Sequence, residues 1–133
     1  MTPHEFRDIL PHICSTETSF TPDEWTPRNP LWGHCAVVAL LANDYFGGRF
    51  VRASLVGTPF SAAGSHYWNV FPDGTEYDFT REQFGDAELQ LVGTRNHSPG
   101  KPIHRDDLLR HPDTKKRYEL LRARFESYLL RTS

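Results

Sequence analysis

No stretch of this chain approaches the roughly 18 consecutive apolar residues that a membrane-spanning helix requires, so a bilayer is not its expected medium. The opening Met1-Thr2-Pro3-His4-Glu5 has neither the basic start nor the apolar run of a secretory leader, and none is expected. Cysteine is scarce. Cys14 and Cys35 are too few for a disulfide framework and stand in unlike surroundings, which makes a reducing cytoplasm the expected location. A surplus of one charge is also lacking: 15 basic against 17 acidic residues give a net charge of -2. Neither a nucleic acid nor an anionic membrane surface is therefore an expected partner. The basic group Lys115, Lys116, Arg117, Arg122, Arg124 and Arg131 reads as a solvated helix face.

What is present fits one compact domain spanning residues 1–133. A hydrophobic content of 38%, with 13% aromatic residues, is enough to build a core and argues against a disordered chain. Phe6, Ile9, Leu10 and Ile13 recur at helical spacing and predict a helix over Pro3–Cys14, which Pro11 should kink or end early. Residues 15–30, rich in Ser, Thr and Pro, read as a loop pinned by Phe20 and Trp25. The apolar run from Gly33 or His34 to Phe46 predicts a helix buried on most sides and closed by Gly47-Gly48.

Arg49–Val56 alternates as a half-buried strand does, and a flexible linker or lid is expected over Gly57–Gly64. His66–Phe71 and Glu76–Thr80 read as two strands of a hairpin turned at Asp73-Gly74. Gln83–Val92 is expected as a third or edge strand that can open with a helical turn, Thr94–Arg105 as a polar loop, and Asp113–Leu130 as an amphipathic helix carrying Tyr118, Leu121, Phe125, Tyr128 and Leu129. The resulting class is α+β: a buried central helix on a small antiparallel sheet, flanked by N- and C-terminal helices.

The chemistry points to Cys35. It opens the central helix, where unpaired N–H groups and the positive dipole end favour a thiolate. His66 on a strand supplies a proton acceptor, and Asp78 on the next strand a carboxylate to orient that imidazole. A nucleophile, a base and an orienter are the three roles of covalent acyl-transfer catalysis. The Cys35 N–H, the Asn29 amide and the Trp32 indole N–H are candidate donors to an oxyanion. Gly33 should let a substrate approach the backbone closely, and Asn69 offers a second means of orienting His66. Cys14, beside Ile13 and without a paired histidine, reads as packing, and a bridge to Cys35 would silence the catalytic thiol.

In these segments the chain resembles the papain-like and transglutaminase-like cysteine enzymes. Gly33-His34-Cys35 is similar to their Gly-x-Cys segment, His66-Tyr67-Trp68 to a His-x-Trp strand, and Asp78-Phe79-Thr80 to an Asp-x-Thr word. Closer still is the small bacterial YunG family, on Gly33 to Leu40, Asp44-Tyr45-Phe46-Gly47-Gly48, Ser65 to Asn69, and Asp78-Phe79-Thr80-x-x-Gln83-Phe84. The resemblance implies a Cys35–His66–Asp78 triad attacking an amide, thioester or ester carbonyl of a small molecule or peptide, as hydrolase or acyl transferase, without a cofactor. Where the larger families place an oxyanion-assisting glutamine before the nucleophile, this chain has His34 and Asn29.

Three other readings stay open. The same cleft can bind a peptide or small molecule without reacting, and the C-terminal helix can serve as a partner-binding surface. A metal site from His34, Cys35, His66 and Asp78 has suitable ligand types, but neighbours on a helix point about 100° apart and no metal-ligand spacing recurs; no metal is expected. Sequence leaves the oligomeric state open.

Overall fold

The computed structural model describes residues 1–56, 58–60, 64–85 and 101–132. Helix α1 runs Pro3–Ile13. Thr2 starts it by accepting the Glu5 N–H, and Pro3 occupies a first-turn position that needs no backbone donor. Pro11 falls in the last turn, and the chain turns extended at Cys14. Phe6, Ile9, Leu10 and Ile13 face the core, as their spacing predicts.

Helix α2, Cys35–Phe46, carries six consecutive buried residues from Val37 to Ala42. Such a helix needs cover all round. The sheet covers it through strand β2, Ser65–Val70, and helix α4, Pro112–Thr132, also packs on it and on α1. Phe6 lies at the centre of this core, with its ring 4.9 Å from Phe79, 5.2 Å from Phe125 and 5.5 Å from Phe46.

Among the described residues the sheet has four antiparallel strands in the order β3-β2-β1-β4, comprising Glu76–Tyr77, Ser65–Val70, Arg49–Ser54 and Lys101–Ile103. The pairing of β1 with β2 sets Ala53 opposite His66, Val51 opposite Trp68 and Phe50 opposite Asn69. Phe50 joins the core around α2, whereas Val51, Ala53, Leu55, Trp68, Val70 and Phe84 form a second apolar cluster. Because side chains alternate across a strand, Val51, Ala53 and Leu55 make the buried face expected of a half-buried strand, while Arg52 on the other face is exposed and Ser54 partly so. Phe50 departs from that pattern by being buried on the second face, and the strand ends at Ser54.

Other expectations also change. Phe20 is exposed and does not pin the 15–30 segment; Thr18 and Ser19, both buried, do so instead. Arg81–Phe84 forms a 3-10 turn, in agreement with the helical turn expected at the start of the Gln83–Val92 segment, and residues 86–92 of the expected strand lie outside the described residues. The polar loop expected to reach Arg105 instead contains β4 and the start of a short helix α3, Arg105–Leu109; its residues 94–100 are likewise not described. The expected Gly57–Gly64 linker includes Gly57 and residues 61–63, which lie outside the described residues too.

The basic face of α4 is not wholly solvated. Arg117 is buried, bonding Asp113 at 2.9 Å and the Thr18 carbonyl at 3.2 Å. Arg124 reaches the Ile13 carbonyl, Ser15 and Glu17. Both arginines tie α4 to the segment after α1. No helix among the described residues is long and apolar enough to cross a membrane.

Candidate active site

Three loops and two element ends converge at the start of α2. The 3-10 turn Thr16–Thr18 presents Thr18, whose Oγ lies 2.6 Å from His34 Nε2. The other nitrogen of His34, Nδ1, is 2.8 Å from the Trp32 carbonyl. A carbonyl only accepts, so Nδ1 carries the proton and Nε2 accepts from the Thr18 hydroxyl. Burial holds His34 neutral, taking its pKa down to about 4 against the weaker help of the Trp32 carbonyl. His34 thus clamps the turn before Cys35 and does not face a substrate.

Gly33 has the same structural character. Its φ is +75°, and an added Cβ would stand 2.2 Å from Ser19 Oγ and 2.9 Å from the Phe20 nitrogen. Its missing side chain serves the crossing of the 19–21 segment, fixed by Phe20 N–H to Gly33 O at 2.9 Å and by Ser19 Oγ to Trp32 O at 2.7 Å. The result is a turn rigid enough to set where α2 begins.

Cys35 is the first residue of α2, partly exposed and free of any disulfide. No side chain of the preceding His34 caps the helix, so the first N–H groups of α2 remain available to an anion. The thiol lies 3.8 Å from the Ser65 carbonyl, at the start of β2. It also lines a cavity of about 370 Å³ whose walls include Trp32, Gly33, Leu55, Tyr67, Gln83 and Phe84. Cys14, by contrast, is buried in the core, and burial pushes its thiol up to about 12.

His66, one residue beyond Ser65, is fully buried. Trp68 stacks beside its ring at 5.6 Å, and Phe84 meets it edge-on at 4.9 Å. Nε2 lies 2.6 Å from Asp78 Oδ2. Tyr77 pairs with Asn69 and Glu76 with Val70, so Asp78, one residue further, reaches His66 along a diagonal between neighbouring strands. Asp78 Oδ1 accepts the Thr80 N–H at 3.3 Å, which steadies the carboxylate.

Nδ1 of His66 is buried and has no hydrogen-bond partner among the described residues. Burial disfavours the charged ring. The hydrogen bond to Asp78, the Cys35 thiol and the Asp78 charge together outweigh it, raising His66 to about 9. A charged imidazole with one nitrogen committed to a carboxylate and the other influenced by a thiol is chemically equipped to hold and return a proton.

Of the remaining sequence candidates, Trp32 lines the cavity with Cys35, whereas Asn29 and Asn69 are not among its lining residues. Asn29 donates to the Gln83 carbonyl at 2.9 Å, and the Trp32 indole N–H donates to Glu24 at 3.3 Å. Both are tied to other acceptors. Asn69, expected as an alternative orienter of His66, donates to the Ala39 carbonyl at 3.0 Å and ties β2 to α2. Among the described residues no three His, Cys, Asp or Glu side chains gather as a metal ion would need.

Sequence reasoning missed the contribution of Gln83 and Phe84. Both follow Asp78 on the same connecting turn, and the word Asp78-Phe79-Thr80-x-x-Gln83-Phe84 was their only signal.

Residues 2–130 match the family model described as YunG protein. The chain belongs to the YunG family. It is similar to the uncharacterized protein YunG of Bacillus subtilis (strain 168), with 36% identity over 61 residues, or 46% of this chain. That match spans 47% of the relative, so the chain covers about half the length of the curated YunG protein it matches. No solved structure matches the chain. In this YunG-family chain the Cys35, His66 and Asp78 segments all fall within the matched residues.

Proposed function

We propose that this protein is a thiol enzyme acting on an amide or related acyl bond, with Cys35 as nucleophile, His66 as general base and acid, and Asp78 as orienter. One observation carries the reading: Cys35 lines the cavity from the N-terminal end of α2, while the buried His66 beside it is raised to about 9 by Asp78 and Cys35 together. A histidine present only for packing gains nothing from a strong proton hold in an apolar sandwich.

In this reading Sγ attacks the acyl carbon after passing its proton to His66 Nδ1, and the leaving amine takes that proton as the intermediate collapses. Water or an amine then accepts the acyl group, giving hydrolysis or transfer. We read the helix-borne thiol, strand-borne histidine and following carboxylate as a papain-like or transglutaminase-like core, and the whole chain as one such domain. The cavity is at the small end of ligand sites, which favours a small-molecule amide or a side-chain carboxamide over an extended polypeptide. A reducing cytoplasm suits both free thiols.

Iodoacetamide alkylation at pH 7 tests the site. Cys35 should react at least about tenfold faster in the native protein than in the urea-unfolded chain, and His66→Ala should remove that advantage. Cys14, sealed in the core, should stay unlabelled until unfolding. A native Cys35 no faster than the unfolded one overturns the reading.

A further inference from the structure

Gln83 is buried, 5% exposed, and its amide is divided between two fates. Oε1 accepts the Gly33 N–H at 3.2 Å, which fixes which way the amide faces, because only the oxygen can accept. Nε2 is then left buried with no partner among the described residues. A buried amide donor without an acceptor is unfavourable and uncommon in folded proteins. The residue carrying it lines the same cavity as Cys35, and its acceptor oxygen is anchored two residues before the thiol.

The backbone of Gln83 is held as firmly as its side chain. Asn29 donates to its carbonyl at 2.9 Å, and its N–H donates to the Thr80 carbonyl at 3.0 Å, on the turn that also carries Asp78. One short segment therefore delivers both the carboxylate that holds His66 and a cavity-lining residue whose buried amide donor is unused. The other side chains suggested as donors are occupied: the Asn29 amide by Gln83 and the Trp32 indole by Glu24.

We infer that Gln83 is a catalytic residue whose Nε2–H group, with the Cys35 backbone N–H, stabilises the oxyanion formed when Cys35 attacks a carbonyl. The inference rests on the reading of Cys35 as nucleophile. In the step concerned, Sγ bonds to the acyl carbon and the carbonyl π pair moves onto oxygen, where the two N–H groups bind it. Collapse re-forms the carbonyl and breaks the bond to the leaving group. Because its partner appears only with the developing charge, the donor acts on the transition state more than on the ground state.

Two reactions of the same thiol separate this role from a structural one. p-Nitrophenyl acetate acylates sulfur through an oxyanion and releases nitrophenolate. Iodoacetamide is attacked at a saturated carbon, releases iodide and forms no oxyanion. Gln83→Ala should slow acylation of Cys35 about 10²-fold or more while leaving alkylation within about threefold. Gln83→Glu keeps an acceptor for Gly33 but removes the donor, and the ratio of acylation to alkylation should fall by a similar factor. General misfolding lowers both rates and leaves that ratio unmoved.

An unchanged ratio in both variants overturns the role of Gln83 and leaves the thiol reading standing. So does a wild-type thiol that is alkylated rapidly but not acylated. A wild-type thiol with no enhanced alkylation overturns the underlying reading as well, and is distinguishable on that count.

Discussion

His66 Nε2 and Asp78 Oδ2 stand 2.6 Å apart, joining the buried strand β2 to the residue just past β3. The imidazole is fully buried and the carboxylate side chain 23% exposed. That asymmetry makes the pair directional. Asp78 keeps a hydrated edge, while His66 depends on Asp78 and on Cys35 to remain charged between Trp68 and Phe84.

Replacing Asp78 by Asn should therefore lower the His66 pKa by more than about one unit from its value near 9. Burial, the largest influence on the ring, acts against the charged form and would be left opposed by the thiol alone. An NMR titration of the His66 ring nitrogens in wild type and Asp78→Asn reads this directly. A midpoint that stays near 9 in the variant would show that Asp78 is not what holds the proton.

The turn before the thiol makes a second prediction through Gly33. Ala at this position meets Ser19 Oγ at 2.2 Å and must hold a φ of +75°. Gly74 has a φ of +87° but open space where a Cβ would go. Gly74→Ala should cost about 1 kcal/mol from backbone strain alone, whereas Gly33→Ala should cost about 2 kcal/mol or more because a clash is added. Urea unfolding midpoints compare them. Equal losses would mean that the crossing of residues 19–21 yields easily and does not brace the site.

The sequence made the central elements legible because their signals are local. An apolar run of helical length, closed by Gly47, located α2, and the Asp73-Gly74 turn located the β2–β3 hairpin. Cys35, His66 and Asp78 were visible for the same reason: each sits at an element boundary marked by its neighbours. The supporting shell was less legible, because its contacts join distant positions. Gln83 reaches Gly33 across 50 residues and Arg117 reaches Thr18 across 99. A histidine next to a cysteine looks like a substrate contact until the Thr18 segment is seen to cross over it. Likewise, a basic helix face looks solvated until one of its arginines is found to have a buried carbonyl to bind.

His34 and His66 pull stability in opposite directions with pH, and this yields a third prediction. His34 titrates near 4 when folded against about 6.5 unfolded, so the unfolded chain takes up the proton first. Its contribution is complete above pH 6.5 and is lost as pH falls towards 4, a change of about 3 kcal/mol across that window. His66 titrates near 9 when folded, so its contribution is complete below about 6.5 and is lost as pH rises through 9. For these two groups the optimum falls near pH 6.5, where the two opposing gradients cancel. Urea midpoints measured from pH 4 to pH 9.5 should trace a dome in the wild type. His34→Gln should flatten the acid limb alone, and Asp78→Asn the alkaline limb alone. A dome whose two limbs both survive these substitutions would mean that other groups set the pH dependence, and that neither histidine is held in the protonation state its surroundings dictate.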